Sequence, residues 1–152
     1  MDHRKEIDRL YALEYGDTLE FAFRMALTGT GAVIHYNYTG MVIAIFWYLG
    51  FVAAHAALFW TFRRVPTDPT ARDVQAVGAM TLVMLASFIW LPASMVAEDD
   101  VALRISGTAA MGVLMVLLIH RSDRLKWMVY GEISIIAAAV AFIILSDFRG
   151  VQ

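Results

Sequence analysis

YTGMVIAIFWYLGFVAAHAALFWTF, residues 38–62, contains no Asp, Glu, Lys or Arg over 25 positions. A helix rises about 1.5 Å per residue and a bilayer's hydrocarbon core takes about 20 apolar residues, so this stretch is long enough to cross one. Arg63-Arg64 sets a charged edge after it, and the preceding Phe59-Trp60-Thr61-Phe62 reads as an aromatic belt at the headgroups. His55 is the one strongly polar group inside the span.

Working outward, the rest of the chain fits the same solvent. Of 152 residues, 60% are hydrophobic and 17% charged, and the mean hydropathy is +0.63, which belongs to the membrane class rather than to water-soluble globules. Three further apolar stretches follow, at about 74–97, 101–119 and 127–145. The expected fold is an all-α integral membrane protein: a four-helix transmembrane bundle over residues 32–152, preceded by one or two short amphipathic interfacial helices within residues 1–31. Net charge of -2, with Lys and Arg at span edges, provides no basic face for nucleic acid. The absence of Cys excludes disulfides, thiolate metal sites and thiol nucleophiles. The charged beginning, MDHRKEIDRLYALEYGD, has no apolar core of the kind a cleavable signal peptide needs.

Ile7, Leu10, Tyr11 and Glu14 recur at helical spacing, which predicts a weakly amphipathic first helix. Asp17-Thr18-Leu19-Glu20 has the form of a helix cap, and a short second helix is expected from Thr18 to about Thr28, with Glu20 and Arg24 pairing at i, i+4. Thr28-Gly29-Thr30-Gly31 reads as a hinge ending it, since no Lys follows to make a phosphate loop. Pro92 predicts a kink in the second span, Glu98-Asp99-Asp100 a tight acidic turn, and Arg104 a partner for those carboxylates. Gly50, Ser106, Gly107, Ala110, Gly112, Ser134 and Ala138 are candidate helix-packing positions, because small side chains let neighbouring backbones approach.

Two ionisable residues within the spans, His55 and Glu132, lie at matched depth and form the candidate ligand or proton site. A structural hydrogen bond between helices, or a Glu132 reaching Lys126 or Arg124, is the plainer reading of the same residues. Haem needs two ligands facing one another. His35 and His55 read as opposite ends of one helix, which leaves only His55 with His120; no metal site and no cofactor are expected.

The basic loops after the first and third spans (Arg63, Arg64, Arg72; Arg121, Arg124, Lys126) are expected on the cytoplasmic side of a bacterial inner membrane, with both termini periplasmic. Arg4, Lys5, Arg9 and Arg24 argue the other way. Arg24, Asn37, Trp47, Trp60, Trp90-Leu91-Pro92, Asp99-Asp100, the small residues Gly107 to Gly112 and His120 together resemble the N-terminal multi-span input region of alphaproteobacterial sensor histidine kinases and diguanylate cyclases. That resemblance implies a sensory or regulatory membrane module. No kinase or cyclase domain accompanies it in this sequence, so no enzymatic activity is carried over. The first functional expectation is therefore a non-enzymatic sensory or regulatory module, surrounded by lipid and associating with itself or a membrane-protein partner. A small accessory or assembly subunit of a larger membrane complex is the second, and a haem- or proton-handling subunit the third.

Overall fold

The computed structural model describes residues 2–121 and 125–149; the side chains of Glu20, Leu117, Ile119, His120, Arg121, Asp147, Phe148 and Arg149 lie outside that description. The described chain is all helical: α1 (His3–Tyr15), α2 (Thr18–Thr39), α3 (Ile43–Arg63), α4 (Ala71–Val96), α5 (Val101–Arg121) and α6 (Lys126–Arg149). Three of these, α3, α4 and α6, are long and apolar enough to cross a membrane. The four-span expectation is thus met by three helices; described α5 offers only a shorter apolar stretch, Val101–Val116.

Helix boundaries follow local chemistry. The Asp2 carboxylate accepts the Lys5 N–H at 3.2 Å, and that contact holds the Asp2 carboxyl below its ordinary pKa. Asp17 accepts the Leu19 N–H at 2.8 Å, which is the expected cap at the start of α2. Thr70 donates both its N–H and its hydroxyl to Asp73 (2.7 Å each) at the start of α4, and Asp100 accepts the N–H groups of Ala102 (2.8 Å) and Leu103 (3.0 Å) at the start of α5. Each cap satisfies donors that the first helical turn cannot.

The expected hinge at residues 28–31 is absent: α2 runs unbroken for 22 residues, about 33 Å by helical rise. Thr28 and Thr30 turn their hydroxyls back onto the carbonyls of Arg24 (2.6 Å) and Ala26 (2.9 Å), so neither withdraws its backbone from the helix. Gly29 serves contact rather than flexibility, since a Cβ there would stand 3.1 Å from the Tyr48 ring on α3. The real reversal is at Gly40, whose φ of +66° is left-handed. The first apolar span accordingly begins at Ile43, residue 31 falls inside a continuous helix, and His35 belongs to α2 rather than to the helix that carries His55.

α2 and α3 form an antiparallel hairpin: Phe21 reaches His55, and the Tyr48 hydroxyl donates to the Met25 carbonyl at 3.3 Å. α4 is the hub, with α3, α5 and α6 each packed along it. It keeps the largest buried share of the three apolar spans, 44%, against 22% for α3 and 17% for α6. Its Pro92 lies within continuous helix, and the Trp47 indole N–H donates to the Ser87 carbonyl in the turn before it.

Two ends of the bundle differ in charge. The basic end, so named for its Lys and Arg although Asp2, Glu6, Asp8, Glu14, Asp68 and Asp73 stand there too, holds α1, the loop 64–70 and the start of α6. There Ile7 and Leu10 join Phe62, Val74, Val77, Leu125 and Met128 in one apolar cluster. The acidic end holds the Gly40 turn and Glu98-Asp99-Asp100, where Arg104 donates its Nε–H to the Glu98 carbonyl at 2.6 Å and stands 3.8 Å from Asp99, as the sequence predicts. α6 starts beside α4, with Trp127 against Gly78, and runs parallel to it so that Ala139 joins Leu85, Ile89 and Ala93. Residue 149 therefore lies at the acidic end and α1 at the basic end. α2 traverses the length of the bundle, which is why α1 and residue 149 stand at opposite ends of it.

Small residues divide by where they face. Gly107 is buried against α4, whereas Gly50, Ser106, Ala110, Gly112, Ser134 and Ala138 are exposed. Gly78 and Gly131, not singled out from sequence, are the close-approach sites between α4 and α6, where an added Cβ would lie 2.6 Å from Trp127 and 2.5 Å from Leu82.

Candidate functional site

The most concentrated buried polarity is where α1, α2 and α3 meet. Glu14 falls on the same stripe of α1 as Ile7 and Leu10, so docking that stripe carries a carboxylate inside with its apolar neighbours. Its side chain is fully buried, and Oε2 accepts from Arg24 Nη1 of α2 at 2.9 Å. A charge in such surroundings is sustained by a partner of opposite sign. Arg24 therefore pairs with Glu14 of the preceding helix; the expected partner, Glu20, has its side chain outside the description.

One residue on, the Tyr15 hydroxyl donates to the His55 carbonyl at 3.0 Å and lies 3.5 Å from Nδ1 of the same residue. Burial, reinforced by the adjacent Glu14 carboxylate, raises the Tyr15 phenol well above its ordinary pKa, so it remains a donor. His55 is 3% exposed, with the rings of Phe51, Phe21 and Tyr15 centred 4.8, 5.4 and 6.2 Å away. Its Nε2 has no hydrogen-bond partner among the described residues. The cluster thus joins an ion pair to an imidazole in an aromatic cage, and both tie α1 to the hairpin. Tyr15→Phe removes one hydrogen bond and is expected to cost about 1 kcal/mol, read as a lowered thermal midpoint in detergent.

Glu132 is also buried, 8% exposed, but on α6. α3 and α6 each pack chiefly on α4, and the rings around His55 come from α1, α2 and α3. The second buried histidine, His35, is 1% exposed at the acidic end, its Nε2 3.8 Å from Glu98 Oε1 and its Nδ1 3.3 Å from the Thr39 hydroxyl. The antiparallel hairpin sets His35 about level with residue 41, roughly 21 Å along the axis from His55, too far to share an iron. His55 with His120 falls outside the described side chains. Among the described residues no group of three His, Asp or Glu side chains is placed to hold a metal ion.

Glu14, Tyr15, Arg24 and the His35–Glu98 pair were not legible as a site from spacing alone. The usable signal was Glu14 itself, a carboxylate on the apolar stripe of α1.

Fold and site together define an all-α chain with three apolar helices of membrane-spanning length and with a buried Glu14–Arg24 ion pair where α1 meets α2. The chain matches no family model, no curated protein and no solved structure.

Proposed function

We propose that this chain is a non-enzymatic regulatory module of a bacterial inner membrane, in which α3, α4 and α6 cross the bilayer together with the less apolar α2 and α5, and α1 rests on its cytoplasmic face. One observation carries the reading: α1 is fastened to the bundle through the buried Glu14–Arg24 pair and the Tyr15–His55 contact. A charged surface helix held in this way transmits its position to the membrane helices, and theirs to it.

Membrane crossing by α2 is supported by its exposed face, where Leu19, Phe23 and Leu27 repeat at i, i+4, i+8 with exposures of 79, 66 and 58%. Such a stripe is costly in water and suited to lipid. Arg24 lies six residues into α2, about 9 Å by rise, and its charge is met by Glu14 rather than left in hydrocarbon. With α2 crossing, Arg4, Lys5 and Arg9 join Arg63, Arg64, Arg72 and Lys126 on one side, against Arg104 and Arg149 on the other, so the positive-inside rule favours the α1 side as cytoplasmic. The likeness to sensor input regions points the same way, toward signal reception without catalysis.

The second reading, an accessory subunit of a membrane complex, is favoured by the outward small residues on α5 and α6: Ser106, Ala110, Gly112, Ser134 and Ala138. Isolation in mild detergent of the full chain and of a form lacking residues 2–15 separates the two. A regulatory module read through α1 loses its partner with α1. Retention of the same partner by the shortened chain supports docking through α5 and α6, and a full chain that isolates alone contradicts both readings.

A further inference from the structure

We propose that the cleft between α1 and the end of α3 binds the phosphate headgroup of an anionic phospholipid. Its floor is apolar, from Ile7 and Phe62, and its rim carries Arg4, Asp8, Tyr11 and Arg63. At about 210 Å³ it is smaller than the ~300–1,000 Å³ typical of sites that enclose a whole small molecule, so it suits a headgroup whose remainder lies elsewhere.

The charge balance favours an anion. Asp8 pairs with Arg4 at 3.2 Å, so one carboxylate faces two guanidiniums. Arg63 has no carboxylate within 4.0 Å among the described residues; its guanidinium lies 5.2 Å from the centre of the Phe59 ring, as that of Arg64 does over Trp60. Those contacts hold each cation against an aromatic face without consuming its charge. Arginine's fork of donors fits phosphate oxygens, and the Tyr11 hydroxyl adds another donor at the rim.

The location favours a lipid over a free anion. Trp60, 61% exposed and one turn before Arg64, marks the layer where apolar surface gives way to headgroups. Phe59 and Trp60 continue the floor onto the outside of α3, where acyl chains would lie. The proposal rests on the reading of the basic end as a membrane-facing, cytoplasmic surface, where anionic lipid adds to the attraction for Lys and Arg.

The test uses the full chain in detergent, exchanged against phosphatidylglycerol or phosphatidylcholine, with retained lipid counted by native mass spectrometry. The expected result is a preference for phosphatidylglycerol of about fivefold, lost in Arg63→Gln and kept in Arg72→Gln, which removes a charge from the same end but outside the cleft. Equal loss in both variants would mean diffuse surface charge and overturn the site. Absence of a preference in the parent chain, or displacement of the lipid by millimolar inorganic phosphate, would overturn it also. Because detergent has no sides, failure here leaves the sidedness of α1 untouched, and a wrong sidedness leaves this measurement readable.

Discussion

Arg24→Met is expected to release α1 from the bundle and to lower stability by about 3–5 kcal/mol, the range for removing one partner of a buried ion pair. The substitution leaves Glu14, whose side chain is fully buried, without its cation at 2.9 Å. The carboxylate must then take up a proton or leave its site, and leaving takes Ile7 and Leu10 out of the apolar cluster they share with Val74 and Val77. Adding Glu14→Leu is expected to recover most of the loss, since an apolar pair of similar volume avoids the desolvation of both charges. Denaturation in detergent reads the energy, and limited trypsin digestion reads α1 directly, because Arg4, Lys5 and Arg9 become cleavable when the helix is free. Trypsin resistance and stability equal to the parent chain in Arg24→Met would show that the pair does not fasten α1.

The second large effect is expected at Gly107. A Cβ there would stand 2.7 Å from the Pro92 oxygen, 2.8 Å from the Val96 nitrogen and 2.9 Å from the Met95 Cβ. Two of those are backbone atoms of the hub helix and cannot rotate away, so Gly107→Ala must push α5 off α4. Overpacking of this kind costs about 1–3 kcal/mol, with the better helix propensity of Ala offsetting part. Gly112→Ala is the matched control on the same helix: nothing lies within 4 Å of the added carbon, and a small gain is expected. Equal behaviour of the two variants on denaturation would contradict the α4–α5 packing.

Those two glycines show what sequence can carry. Gly107 and Gly112 look alike as small residues on one apolar stretch, and only the position of α4 distinguishes a packing contact from an outward one. The apolar stretches themselves were legible within about five residues, because a run without charge reports burial in lipid or protein regardless of partner. Stretch 38–62 was misplaced at its start: Gly29 and Gly31 carry a turn signal, yet the reversal uses Gly40, where positive φ is required. α2 was hidden for a related reason. Arg24 lowers its apolarity, and its partner Glu14 lies on another helix, beyond any i, i+4 pattern. The organising role of α4 was hidden too, since burial within the bundle and exposure to lipid both demand apolar residues. His55 stands out in the sequence as a polar residue in an apolar run, but its cage of Tyr15, Phe21 and Phe51 draws on three helices whose meeting depends on the α2–α3 hairpin.

The central claim is that α2 crosses the membrane and leaves α1 on the cytoplasmic side. Because the chain has no cysteine, single replacements can be read without background. Lys5→Cys and Met41→Cys place a thiol on α1 and in the turn between α2 and α3, and intact cells are treated with a membrane-impermeant maleimide after opening of the outer membrane. The prediction is labelling at position 41 and protection at position 5 until the inner membrane is permeabilised. Labelling of both from outside would contradict it, placing α1 in the periplasm and α2 along the surface.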